Sequence, residues 1–123
     1  MTVLVIALCG GLGAAARFVI DGLARGRATQ VLPVGTILIN VSGSGLLGLL
    51  SGAVLFHSLS PTVYAALGVG FCGGYTTFST AMVETVRLVQ SGDYRRATVN
   101  ALGSLLLALG AAALGVLLMR LLA

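Results

Sequence analysis

Gly70 to Thr80 reads GFCGGYTTFST. Three glycines fall within five residues, and a run of hydroxyls around one phenylalanine follows. The stretch lies deep inside an apolar chain: from Ala28 to Val83 there is no Asp, Glu, Lys or Arg. A membrane span takes roughly 20 apolar residues, so that interval holds more than one. The 123 residues are 58% hydrophobic and 8% charged, with mean hydropathy +1.09. A soluble domain carries about 25% charged residues; this chain cannot cover a water-facing surface. It reads as an all-α integral membrane protein, one domain over residues 1–123.

Four transmembrane helices are expected, at about 3–23, 34–56, 61–90 and 97–122. Pro33 supplies a start signal for the second. The links Ala24–Leu32, His57–Ser60 and Ser91–Arg96 are short, so neighbouring helices run antiparallel and both termini share one side. The third span is too long. About 30 residues at 1.5 Å each give roughly 45 Å, against a hydrocarbon core of about 30 Å. Gly73-Gly74 falls near its middle, which predicts two half-helices with an unwound break at Gly73–Thr77. Broken backbone at membrane depth persists only where protein or an ion satisfies its polar groups.

The seven basic residues are all arginine. Arg25, Arg27, Arg87, Arg95 and Arg96 flank the first and third links, against Arg120 alone on the opposite side. The positive-inside rule places those two links in the cytoplasm and both termini outside. These arginines report topology, and no nucleic-acid partner is expected. With no basic n-region or A-x-A pattern, no cleaved signal peptide is expected. Cys9 and Cys72 stand apart in apolar surroundings and read as buried free thiols.

Catalytic groups are scarce. His57 lies in a short link and reads as a solvated turn residue. Asp93 is a link residue, Glu84 stands alone in the second half of the third span, and Asp21 is placed to pair with Arg17 at i,i+4. Gly10-Gly11-Leu12-Gly13 imitates a nucleotide loop, but it lies within a span and no strand precedes it. Small residues recur every four positions: Asn40, Ser44, Gly48 and Gly52; Gly10 and Ala14; Asn100, Ser104, Ala108 and Ala112. Such faces let membrane helices approach closely. Asn40 differs from them, because an amide near mid-membrane is costly without a partner. What remains for chemistry is a set of neutral donors and one ring: Asn40, Thr76, Thr77, Phe78, Ser79, Thr80 and Ser104. Hydroxyls and amides donate hydrogen bonds, and a phenyl edge is positive. Together they can replace the water around a small anion without trapping it. Carbonyls freed at the break suit a small hard cation such as Na⁺.

GFCGGYTTFST resembles the third-helix signature of the Fluc (CrcB-type) fluoride channels. GTILINVSGSGLLG (Gly35–Gly48) resembles their second-helix signature, with Asn40 at its asparagine. GGLGAAARF (Gly10–Phe18) resembles their first-helix motif, with Arg17 at its arginine. The resemblance covers the whole chain and is weakest in the fourth helix. It implies a fluoride-specific channel, not an enzyme, lowering cytoplasmic fluoride by passive export across the cell membrane of a bacterial-type cell. It implies an antiparallel dimer with pores along the interface. It also implies a structural, untransported Na⁺ held by the backbone carbonyls of Gly73 and Thr76. Asn40 and Ser104 would donate to fluoride, Phe78 would offer its ring edge, and Thr77 and Ser79 would line the track. Arg17 would serve the aqueous vestibule, unless it is an interfacial anchor paired with Asp21, and Glu84 would support the third helix.

Two positions depart from that pattern. The family has a second phenylalanine three residues after the first, where this chain has Ala81. It often has a tyrosine four residues before the fourth-helix serine, where this chain has Asn100. With the arginine bias, these departures raise the expectation of a heterodimer with an oppositely inserted homologue, beside the simpler homodimer. A small four-helix multidrug or cation transporter shares the outline, but its exchange chemistry needs a first-span glutamate, which is absent here. A potassium filter reads TVGYG, and that order is absent too. A non-transporting scaffold would explain the glycine stripes but not the hydroxyl cluster.

Overall fold

The computed structural model describes residues 2–25 and 32–123, with Arg25 described by its backbone alone. Arg27 and most of the first link, on which the topology expectation leans, lie outside the described residues. Among the described residues every regular element is helical. The helices are α1 (Thr2–Arg25), α2 (Val34–His57), α3 (61–75), α4 (Phe78–Gln90) and α5 (Tyr94–Leu121). By length and composition, α1, α2 and α5 are each able to cross a membrane. α3 and α4 are the two halves of the expected third span, interrupted only at Thr76 and Thr77. The chain is a membrane protein with three span-length helices among the described residues and an interrupted helix pair, α3 and α4, beside them.

Local chemistry fixes the ends. α2 stops at Ser58, which turns left-handed at φ 55°, and the Leu59 amide bonds back to the Ala53 carbonyl at 3.1 Å. The Ser58 amide bonds the same Ala53 carbonyl, so the left-handed turn closes the helix C-terminus on one otherwise open acceptor. α3 then starts with Pro61 in its first turn, where the missing N–H costs nothing. α5 starts at Tyr94, three residues before the expected 97. Asp93, expected as a link residue, accepts from the Arg96 amide at 3.0 Å and pairs with its guanidinium at 3.0 Å. A side-chain cap of this kind opens a helix. His57 is not a free turn residue: it ends α2, and its Nε2 lies 2.8 Å from the Met119 carbonyl of α5.

Two segments wind more loosely, as π-helix: Ala65–Cys72 within α3 and Val99–Gly103 within α5. Such turns are uncommon and recur at functional sites.

α2 is the central helix. It packs along α5 and also touches α1, α3 and α4. The small-residue faces are where this happens. A Cβ added to Gly48 would collide with the Ala112 carbonyl, and one on Gly115 would come 2.6 Å from the Leu49 nitrogen. α1 and α3 interlock similarly, with Gly13 against the Phe71 carbonyl and Gly74 against the Gly10 carbonyl. The outward faces carry large apolar side chains such as Phe18, Leu55 and Leu121, which is the surface that lipid covers.

The expected break at Gly73–Thr77 is corrected in extent. Gly73 is helical at φ −62°, ψ −38°, and the helix continues through Tyr75. Gly74 is small because α1 lies against it, so its job is close approach and not conformational freedom. The break itself is extended backbone, with Thr76 at φ −78°, ψ 159° and Thr77 at φ −149°, ψ 119°.

Gly48→Val should destabilise the detergent-solubilised protein by about 3 kcal/mol, the upper range for overpacking against backbone. Gly110→Val should change it by less than about 0.5 kcal/mol, since nothing lies within 4 Å of a Cβ there. Thermal midpoints followed by size-exclusion recovery test the pair. Equal midpoints would refute the close-approach account.

Candidate functional site

Two extended residues in mid-membrane need new partners for their backbone groups. Asn40 of α2 supplies them. Its Nδ2 donates to the Thr77 carbonyl at 2.9 Å, and its Oδ1 accepts from the Thr77 amide at 2.8 Å. The carboxamide stands in for a neighbouring strand. The Thr77 hydroxyl caps α4, accepting from the Thr80 amide at 3.3 Å and donating to the Thr80 hydroxyl at 3.1 Å. Thr76 keeps its link to α3, its amide and its hydroxyl each bonding the Cys72 carbonyl at 2.9 Å.

The paired bond has a consequence one turn back. In an unbroken helix the Thr77 amide would bond the Gly73 carbonyl. Because it goes to Asn40, Gly73 loses its helical donor. The Thr76 carbonyl is met by Arg17 Nη1 at 3.4 Å, a long contact that leaves lone-pair capacity on the oxygen. The carbonyls of Gly73 to Thr76 all lose their in-helix donors at this end of α3, and the two that the family resemblance implies for Na⁺, Gly73 and Thr76, are among them. These are hard donors and fit a small hard cation. Among the described residues no group of His, Cys, Asp and Glu could hold a metal.

Beside the break lies an open groove of about 730 Å³. Asn40, Gly73, Thr76, Thr77, Phe78 and Ser104 all line it, so six of the expected residues converge. Ser44, one turn after Asn40, joins them, and so do parts of both π-helical segments, Gly68 to Cys72 and Ala101 with Leu102. The Phe78 side chain is 78% exposed at the first position of α4. The Ser104 hydroxyl donates to the Asn100 carbonyl of its own helix, leaving its oxygen as an acceptor until the hydroxyl rotates. Ser79 does not line this groove; its hydroxyl lies 3.4 Å from that of Thr77.

A second cavity, of about 310 Å³, holds the remaining polar groups. Arg17, Asp21, Thr36, Thr77 and Thr80 line it. Thr77 is therefore common to both spaces. Glu84 does not stand alone, because the Thr36 hydroxyl donates to its Oε1 at 2.9 Å, tying α4 to α2.

Three contributors were not singled out from the sequence. Thr36 precedes Asn40 by four residues, so carrying the Asn40 stripe one step back finds it. Tyr75, the last residue of α3, bonds Ser42 at 2.9 Å. Asn100, read from the sequence as part of a packing stripe and as a departure from the family pattern but not as a site residue, is 1% exposed. Its Nδ2 donates to Thr85 Oγ1 at 2.8 Å and lies 3.4 Å from the Ala81 carbonyl. The two departures, Ala81 and Asn100, are thus one contact between α4 and α5.

Residues 4–116 match the family model described as CrcB-like protein, Camphor Resistance (CrcB). Relatives include Fluoride-specific ion channel FluC 1 of Leifsonia xyli subsp. xyli, 54% identical over 94% of this chain and 84% of the relative. Fluoride-specific ion channel FluC 2 of Cutibacterium acnes is 46% identical over 94% of each chain. Fluoride-specific ion channel FluC of Geobacter metallireducens is 39% identical over 98% of each. Matched along nearly its whole length, the chain belongs to the CrcB family.

Proposed function

We propose that the chain is a subunit of a fluoride-specific channel of the cell membrane, and not an enzyme. The observation that carries this reading is the Thr76–Thr77 break, held open by Asn40 beside a groove of neutral donors. The names of its relatives point the same way.

The break creates two helix ends in mid-membrane with opposite needs. The C-terminal end of α3 carries the negative end of its dipole, and the N-terminal end of α4 carries the positive end. Half-helix ends of this kind gather cations and anions respectively. Na⁺ would sit on the Gly73 and Thr76 carbonyls and supply a fixed positive charge there. Fluoride would pass the start of α4, meeting Asn40, Thr77, Ser79, Ser104 and the Phe78 ring edge. Asn40 Nδ2 has one proton engaged with Thr77 and a second left to donate. Arg17 raises the potential of the smaller cavity, the natural aqueous entrance, while Glu84 braces α4 through Thr36. No donor in the groove carries a formal charge, so the anion is held weakly enough to leave.

A second subunit completes the reading. Two carbonyls supply a third of the roughly six ligands that a hard cation takes. The groove also exposes polar backbone that lipid cannot solvate. An antiparallel dimer covers the groove and doubles the carbonyl set. A homodimer is the simpler form. Ala81 and the arginine bias favour a heterodimer whose partner brings the second ring.

Liposomes loaded with fluoride and containing the chain should release it rapidly, as read by a fluoride electrode, and should retain chloride. Asn40→Ala should cut release at least about a hundredfold, since it removes the clamp and a donor together, a loss of roughly 3 kcal/mol. Release matching the parent would sink the pathway assignment. Silence both from the chain alone and with an oppositely inserted homologue would sink the channel reading.

Sodium gives a separate check. Exchanging Na⁺ for a large organic cation during purification should lower the thermal midpoint and slow release. Midpoints indifferent to Na⁺ would remove the ion from Gly73 and Thr76.

A further inference from the structure

Tyr75 is the last helical residue before the break, and it is 8% exposed. Its ring stacks on Phe71, with centroids 5.6 Å and planes 15° apart. Two glycines make the space for it. A Cβ on Gly13 would lie 2.9 Å from the Tyr75 nitrogen, and one on Gly43 would lie 3.0 Å from its Cδ1. Tyr75 is a wedge between α1 and α2.

Its hydroxyl lies 2.9 Å from Ser42 Oγ. Proton count decides the direction of that bond. Ser42 has one hydroxyl proton, and its oxygen is 2.7 Å from the Leu38 carbonyl and 3.2 Å from that of Ile39. The serine proton therefore goes to its own helix, the usual back-bond, and Tyr75 donates to Ser42. Ser42 lines neither cavity, so the pair stands outside the ion route.

α2 grips the chain at three successive residues: Ser42 on Tyr75, Gly43 against the Thr76 methyl, and Asn40 on Thr77. At about 100° per residue, Asn40 and Ser42 lie about 160° apart around the helix, with Gly43 between them. The break crosses α2 over the Gly43 saddle and is tied down on both sides. One tie is Asn40. We propose that the Tyr75–Ser42 bond is the other, and that Tyr75 is a positioning residue that sets the aim of the Thr76 carbonyl and the Thr77 side chain. What those groups conduct rests on the fluoride reading above; that they are positioned does not.

The test uses the full chain in lipid and two readouts, fluoride release and amide exchange of the peptide covering 72–80. Ser42→Ala strands the Tyr75 hydroxyl where no water replaces its acceptor. It should slow release about tenfold, lower the fluoride-over-chloride ratio and speed exchange about tenfold. Ser42→Ala with Tyr75→Phe removes both partners and leaves nothing unsatisfied. It should return both readouts to within about threefold of the parent, with thermal midpoints alike throughout. A Ser42→Ala variant equal to the parent, or a double variant no better than it, overturns the proposal. If the parent releases no fluoride either alone or with an oppositely inserted homologue, the function reading falls, and the exchange comparison still decides the positioning role.

Discussion

One carboxamide holds the centre of this protein together. The Asn40 side chain has the donor and acceptor geometry of a peptide group, and it pairs with Thr77 as a strand pairs with its neighbour. Without it, an extended residue in mid-membrane would leave an amide and a carbonyl unsatisfied, at several kcal/mol each in lipid. With it, α3 ends and α4 begins on either side of two extended threonines whose backbone is satisfied. The other local features follow from keeping that junction in register with α2. Gly43 has no side chain because the Thr76 methyl lies there, and Thr36 reaches Glu84 one turn before Asn40.

The junction also concentrates electrostatics without concentrating charge. The interval Ala28–Val83 carries no formal charge, yet it contains a helix end with surplus carbonyls and a helix start with surplus amides. A full charge in the groove would bind a small anion too tightly for rapid passage, whereas dipoles, hydroxyls and a ring edge act more gently. Arg17 reaches the junction from α1, and its contact with the Thr76 carbonyl is long.

Much of this was legible beforehand. The helical membrane class and an interruption near Gly73-Gly74 follow from length and composition, and the family resemblance singles out Asn40, Thr76, Thr77, Phe78 and Ser104, which line one groove. The position of the break did not follow, because glycine has two uses. It permits unusual backbone angles and it permits close contact, and a sequence does not say which. Gly73 and Gly74 are helical, and Gly74 lies against α1. The extended angles fall on two threonines, whose β-branching suits them. Asp93 looked like a link residue because a cap and a link read alike until the Arg96 amide is seen to point at it.

Ala81 and Asn100 show why separated residues escape a linear reading. They stand 19 positions apart, and each alone is a departure from a family pattern. In the fold they meet: the Asn100 amide fills the space beside the Ala81 carbonyl and bonds Thr85. The buried amide thus staples α5 to α4 through the Ala81 backbone carbonyl and the Thr85 hydroxyl. Ala81 also lines the large groove, so a methyl where the family has a ring leaves the proposed ion route wider at that level. On the dimer reading, whatever covers this groove has to narrow it again. An identical copy would bring a second Ala81, and an oppositely inserted homologue could bring the ring. The heterodimer expectation thus acquires a steric reason that is independent of the arginine count.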